Sequence, residues 1–95
     1  MIILFVRVES TLSEEEALKI ACDREPQFCA LPGLLQKYYV KLGQPNQYGG
    51  IYVWDSMESL KAYRESELAA SIAKAYKAVG PPSIEIFETF ALLRE

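Results

Sequence analysis

Lys37 is the residue of this 95-residue chain whose type and setting best suit acid-base chemistry. It alternates with Leu35 and Tyr39 in a segment with strand character, so we expect its side chain to point where its apolar neighbours point. Desolvation there would lower the pKa of the ammonium group, and the amine could act as a base or bind an oxyanion. The alternative is that the aliphatic part of the Lys37 side chain covers apolar surface while its ammonium group reaches water.

Arg7 presents a similar choice in the first apolar segment, where it shares strand parity with Ile3 and Phe5. Its guanidinium group could hold a phenolate or a carboxylate of a bound molecule. It could instead pair with a glutamate at the end of a sheet. The residue type alone leaves both interpretations open.

A group of aromatic residues could form a slot for a flat ligand. Tyr52 and Trp54 lie two residues apart on one strand face, and Gly50 leaves a gap on that face. Tyr39 on the neighbouring strand is expected to lie across from them. The alternative is that these side chains are core or dimer contacts.

Two further tyrosines, Tyr63 and Tyr76, recur at helical spacing in a later segment. Their positions predict an inward-facing stripe, so they are expected in the core, and the alternative is that they line a pocket.

The chain contains no histidine. This excludes Ser-His-Asp and Cys-His nucleophile pairs as well as zinc or iron sites that need imidazole. We therefore expect no metal site, and any chemistry must use other side chains or bound small molecules. Cys22 and Cys29 lie seven residues apart in one helical segment, too far along its axis for a disulfide, and are expected to be reduced and buried. A functional thiol is the alternative.

The charge balance limits the choice of partners. Ten basic and thirteen acidic residues give a net charge of −3, and the basic residues do not cluster. A nucleic-acid partner is therefore not expected. No apolar run approaches the 18 or so residues of a membrane span, and the first residues lack a basic leader pattern, which predicts a cytoplasmic protein.

Periodicity and turn residues predict one domain, 1–95, with the element order β-α-β-β-α-β. Ser13 and Glu16 form a capping box that starts the first helix, and Pro26 predicts a kink or restart within it. Uneven apolar spacing predicts a break in the second helix near residues 64–67. The predicted strands span residues 2–9, 34–42, 48–55 and 83–93.

This order predicts an α+β, ferredoxin-like fold, in which two helices cover one face of a four-stranded antiparallel sheet. Right-handed crossovers place the first and third strands in the middle. The strands carry apolar residues on both faces, as Phe5 and Val6 illustrate. The face without helices therefore predicts a homodimer.

Two segments carry a resemblance to a known family: 32–37, read as PGLLQK, and 49–54, read as GGIYVW, followed by Ser59 and the pair Ala62 and Tyr63. They are similar to the YdhR-like monooxygenases of the dimeric α/β-barrel superfamily, relatives of the antibiotic-biosynthesis monooxygenases. The resemblance implies a sheet packed against a second subunit to form a dimeric α/β barrel. It also implies a small apolar pocket between sheet and helices.

The resemblance further implies cofactor-independent monooxygenation of a small aromatic or polyketide-like substrate. In that hypothesis Lys37 and Arg7 are catalytic and stabilise an anion, while Tyr39 and Tyr52 orient it. Trp54 forms the pocket wall and Tyr63 contacts the substrate. The alternative is a non-catalytic homodimer that binds a small hydrophobic or aromatic molecule in the same pocket. A third possibility is a structural dimerisation module whose pocket is filled by side chains.

Overall fold

A four-stranded antiparallel sheet organises the computed structural model, which describes residues 1–94. The strand order is β2-β3-β1-β4, so the first and third strands lie in the middle, as predicted. The elements in chain order are β1 (Ile2–Glu9), α1 (Glu14–Cys29), β2 (Leu34–Lys41), β3 (Gln47–Trp54), α2 (Met57–Arg64), α3 (Glu67–Ala70), α4 (Ile72–Ala75) and β4 (Ser83–Glu88).

Helix α1 begins at the predicted capping box. The Glu16 amide donates to Ser13 Oγ (3.2 Å), and the Ser13 amide donates to Glu16 Oε1 (3.0 Å). These bonds satisfy two amides that a helix start otherwise leaves without partners. The helix continues through Pro26 to Cys29, so the restart considered at Pro26 does not occur.

The second helical region is divided at the predicted place. Helix α2 ends at Arg64, and Ser66 caps α3 by accepting a hydrogen bond from the Ala69 amide (3.2 Å). A further division at Ser71 separates α3 from α4, which the apolar spacing does not predict. None of the helices within residues 1–94 has the length and apolar composition needed to cross a bilayer.

A β-bulge in β2 changes which residues share a face. Leu34 pairs with Trp54 and Gln36 pairs with Val53, so Leu35 is an extra residue without a partner on β3. Lys37 consequently shares the helix-covered face with Leu34, and not with Leu35 as strict alternation predicts. Leu35 is 56% exposed.

Strand β4 ends at Glu88, five residues before the predicted end at position 93. Glu88 pairs with Ile2, the first residue of β1, and within residues 1–94 β1 is the only neighbour of β4. In this part of the chain no strand lies opposite β4 beyond Glu88 to accept ladder hydrogen bonds. After the Thr89 amide donates to the Met1 carbonyl (2.9 Å), Phe90, Leu92 and Leu93 are exposed.

The core lies between the helices and one face of the sheet. Alternate residues of β1 point into it, and α1 and α2 contribute Phe28, Leu60 and Tyr63. The opposite face, called the open face below, carries Ile3, Phe5, Ile51 and Val53 at paired positions of β1 and β3. No helix of the described chain covers it.

Candidate active site

A cavity of about 290 Å³ lies between α1 and the β2-β3 side of the sheet. Most of its wall is apolar, with contributions from Val6, Val8, Ala17, Ala21 and Ile72. Small alanines on the sheet-facing side of α1 leave this volume unfilled. An apolar wall with some polar groups matches the general form of a small-molecule site. The charged and phenolic residues of the wall are Glu14, Lys37, Tyr39, Lys41, Tyr48, Tyr52 and Tyr76.

Lys37 lies among three aromatic rings. Its Nζ is 3.5 Å from the ring centroid of Phe28, 4.4 Å from that of Tyr39 and 4.5 Å from that of Tyr52. The ion pairs formed within residues 1–94 join Arg7 to Glu85 and Lys41 to Glu14, so Lys37 has no carboxylate partner there. Its surroundings stabilise the cation only through ring faces.

Burial, together with the smaller effect of the positive charge of Arg24, lowers the pKa of Lys37 to about 7. About half of the amine is therefore neutral at pH 7. Burial has the opposite effect on the neighbouring phenols: it raises the pKa of Tyr39 and Tyr52, and that of Tyr76 to about 12. These tyrosines stay protonated at neutral pH, whereas Lys37 can exchange a proton.

Gly50 does not leave the open gap that the sequence indicates. A Cβ atom there would lie 2.9 Å from Tyr52 Cε1 and 3.4 Å from Lys37 Cε. The missing side chain thus makes room for the Tyr52 ring and the Lys37 stem, which both lie over the glycine. Any larger residue would displace the Tyr52 ring.

Trp54 and Tyr63 belong to the core and do not line the cavity. Trp54 is fully buried and stacks on Tyr52 with a centroid distance of 6.4 Å and an interplanar angle of 3°. Tyr63 is also buried and donates a hydrogen bond to the Tyr52 hydroxyl (3.3 Å). Both side chains contact Tyr52, because α2 closes over this end of β3. The pocket wall expected of Trp54 and the substrate contact expected of Tyr63 stay predictions.

No protein-family model matches the chain, and no curated protein matches it significantly. Solved structures do match. A protein of unknown function, NE2512 from Nitrosomonas europaea, aligns with a TM-score of 0.79 at 25% identity, covering 99% of this chain and 93% of its own. SnoaB, a cofactor-independent oxygenase from Streptomyces nogalater, aligns with a TM-score of 0.77 at 17% identity, covering 99% and 97%.

An antibiotic biosynthesis monooxygenase also aligns, with a TM-score of 0.70 at 10% identity, covering 96% of this chain and 100% of its own. The chain has the ferredoxin-like fold of these oxygenases. At such identities the likeness concerns the fold. The narrower YdhR-like assignment stays a prediction.

Arg7 lies on the open face of the sheet, away from Lys37. Its Nε is 3.5 Å from Glu85 Oε1, and its guanidinium lies 4.6 Å from the Phe5 ring centroid. The expected pairing with a glutamate is therefore confirmed. A shared anion site with Lys37 is not formed within one subunit, because the two residues point to opposite faces of the sheet.

Phe28 and Arg24 were not assigned to the site from the sequence. Phe28 provides the ring nearest Lys37, and Arg24 donates from Nη2 to Ser71 Oγ (2.9 Å), which joins α1 to the α3-α4 segment. Arg24 and Phe28 are four residues apart on α1, a spacing that places them on one helix face. That spacing, together with the apolar stripe of α1, is the sequence feature from which both residues could have been predicted.

A second cavity of about 420 Å³ lies on the other side of Lys37, where α1 faces the edge strand β2. Cys22 and Cys29 line it, and both are exposed. The prediction of buried thiols is therefore wrong. The buried face of α1 is formed by Ala17, Ala21 and Phe28, and each cysteine follows one of these residues, about 100° further round the helix.

Proposed function

We propose that this protein is a homodimeric, cofactor-independent oxygenase that acts on a small aromatic or polyketide-like molecule in the α1-sheet cavity. The observation that carries the proposal is a lysine that has no carboxylate partner within residues 1–94 and lies in the wall of a mostly apolar cavity. The fold shared with a cofactor-independent oxygenase is consistent with this chemistry.

In this mechanism the neutral amine of Lys37 accepts a proton from an activated CH₂ group beside a carbonyl or a phenol ring. The resulting carbanion transfers an electron to O₂, and recombination forms a carbon-oxygen bond. The peroxide then takes up the proton held by Lys37 and loses water, which leaves a ketone. One CH₂ group and one O₂ thus yield one C=O group and one H₂O.

Tyr39 and Tyr52 orient the substrate. Their raised pKa values keep both phenols protonated, so each can donate a hydrogen bond to a substrate oxygen. The apolar wall limits water, which would otherwise protonate the carbanion. Arg7, Trp54 and Tyr63 have no direct contact with substrate in this mechanism because they lie outside the cavity.

The open face supports the homodimer. Ile3, Phe5, Ile51 and Val53 form an apolar patch that no helix of residues 1–94 covers. Arg7 and Glu85 add one cation and one anion to the same face. A second copy rotated by 180° presents the same pair of charges in reverse order, which suits an isologous interface.

Oxygen consumption tests the catalytic proposal. Wild-type protein with anthrone-like substrates, without added flavin or metal, should consume O₂, with a rate that rises as pH increases through about 7. Lys37→Met should lower the rate at least about a hundredfold, since general-base catalysis typically contributes that much. Lys61→Met, at an exposed lysine of α2 that lines neither cavity, is the control and should leave the rate unchanged. Binding without oxygen consumption would instead indicate a non-catalytic small-molecule binding protein.

A further inference from the structure

Two lysines on β2 differ sharply in their surroundings. Lys37 pairs with Tyr52 and Lys41 pairs with Tyr48, so both stand on the helix-covered face, four residues apart. Lys41 Nζ is 3.2 Å from Glu14 Oε1, and its side chain is 70% exposed. Lys37 has three aromatic rings where Lys41 has a carboxylate and water.

The position of Lys37 combines two conditions that activate an amine as a nucleophile. Apolar surroundings remove water from the ammonium form, and a nearby cation, Arg24, disfavours a second positive charge. Desolvated lysines beside another cationic group are known to attack carbonyl carbons. Lys41 meets neither condition, because its ammonium group is paired and hydrated.

Access to Lys37 is also suitable for a carbonyl compound. Lys37 and Tyr39 line both cavities, the one of about 290 Å³ and the one of about 420 Å³. A planar aryl group can occupy one cavity against the rings while its carbonyl carbon meets Nζ. An imine, unlike an ammonium ion, carries no charge into this apolar setting.

We propose that Lys37 Nζ is a nucleophilic site that condenses with aromatic aldehydes to form an imine. The nitrogen lone pair attacks the carbonyl carbon, and a proton moves from nitrogen to the former carbonyl oxygen. The carbinolamine then loses water as the C=N bond forms. One amine and one aldehyde yield one imine and one water, so no oxidant or reductant is consumed. This activity is separate from the oxygenase reaction and does not depend on it.

Other reactive groups around Lys37 affect how the imine is detected, because they can form adducts of their own. From α1, Cys22 and Cys29 face the second cavity, and their thiols add to aldehydes reversibly. Reduction of the mixture fixes imines and leaves such thiol adducts free to dissociate. The remaining ionisable groups near the two cavities are Glu14, Arg24, Glu25, Tyr39, Lys41, Tyr48, Tyr52 and Tyr76.

Reductive trapping tests the proposal. Folded wild-type protein is incubated at pH 7 with 4-hydroxybenzaldehyde and sodium cyanoborohydride, and the adduct is located by peptide mapping. Lys37 should be modified at least about tenfold faster than Lys41, because about half of its amine is neutral, against less than about one part in a thousand for an ordinary lysine. The preference should disappear in urea-unfolded protein.

Matched variants complete the test. Lys37→Arg should abolish the fast adduct while keeping a positive charge, and Lys61→Met, at an exposed lysine outside both cavities, should leave it unchanged. Equal modification of Lys37 and Lys41 in the folded protein, or none at Lys37, would overturn the proposal, and this comparison needs no variant to fold. If Lys37 is trapped but no oxygen is consumed, the oxygenase proposal is rejected and the nucleophile proposal stands. If oxygen is consumed but Lys37 is not trapped, the nucleophile proposal is rejected and the oxygenase proposal stands.

Discussion

The two faces of the sheet are built from alternate residues of the same strands, yet they differ in how far their side chains are buried. On the helix-covered face Leu4 and Trp54 are almost completely buried. On the open face Phe5, Ile51 and Val53 are only partly buried, although they are equally apolar. Hydrophobicity gives both faces the same tendency to leave water, and only the presence of a covering element decides which one forms a core.

The covered face is itself not uniform. Over the end of β3, Leu60 and Tyr63 from α2 close tightly against Trp54. Near β2, α1 presents Ala17 and Ala21 to the sheet, and these small side chains leave the cavity beside Lys37. Large residues on the covering helix therefore produce a stable core, and small ones produce a candidate site.

The largest effect is expected where the covering is complete. Leu60→Ala should lower the free energy of unfolding by about 2–5 kcal/mol, because it removes a fully buried side chain and leaves a void. Leu18→Ala is the matched control on α1, 59% exposed, and should cost less than about 1 kcal/mol. Urea denaturation of both variants measures the difference. An equal loss at Leu18 would show that this exposed side chain is also covered.

A slightly smaller effect is expected on the open face. Val53→Glu should weaken the proposed dimer at least about a hundredfold, or about 2.7 kcal/mol, because it places an unpaired charge in an apolar interface. Val79→Glu makes the same change at an exposed position and should leave assembly unchanged. Sedimentation velocity at micromolar concentration distinguishes these outcomes. A wild-type monomer at both low and high salt would reject the dimer.

The third effect depends on pH. The pKa of Lys37 is about 7 in the folded protein and lies near 10.4 for an unfolded lysine, so the unfolded state binds more protons between these values. The stability of wild-type protein relative to Lys37→Met should therefore rise with pH through this window. We expect about 1–2 kcal/mol between pH 7 and 9, below the limit of about 1.4 kcal/mol per pH unit for one proton. Urea denaturation at each pH measures the free energy of unfolding of both proteins. If this free energy changed equally with pH in wild type and Lys37→Met, the lowered pKa of Lys37 would be contradicted.

The smallest effect concerns the cysteines at the edge of the covered face. Cys22→Ser and Cys29→Ser should each change stability by less than about 0.5 kcal/mol, because both side chains are exposed. Native protein should react with two equivalents of a thiol reagent at rates within about tenfold of the unfolded chain. Strong protection of either thiol in the folded state would show that α1 is rotated relative to the structure.

Much of the fold could be predicted because local chemistry specifies it. The capping box of Ser13 and Glu16 starts α1, and the turn residues around Pro32 and Gly33 separate it from β2. Uneven apolar spacing locates the break before α3. Strand alternation and crossover handedness then give the sheet order. These signals depend on neighbours in the sequence, so no tertiary knowledge was needed.

The candidate site depended on contacts between distant segments. The sequence identified Lys37, Tyr39 and Tyr52, but it treated Trp54 and Tyr52 alike, because both share one strand face. Only α2 closing over Trp54, while α1 leaves a cavity near Tyr52, separates the two roles. The bulge at Leu35 likewise arises from pairing with β3, and it sets the face on which Lys37 lies.

Sequence by itself determined the element types, their order and the apolar character of both sheet faces, since propensity, capping and periodicity act over a few residues. Tertiary structure alone decided which apolar face is covered, which polar residues meet at the cavity, and that Cys22 and Cys29 face solvent. The physical reason is that burial and pKa depend on which element lies opposite a side chain, and a one-dimensional pattern does not specify that partner.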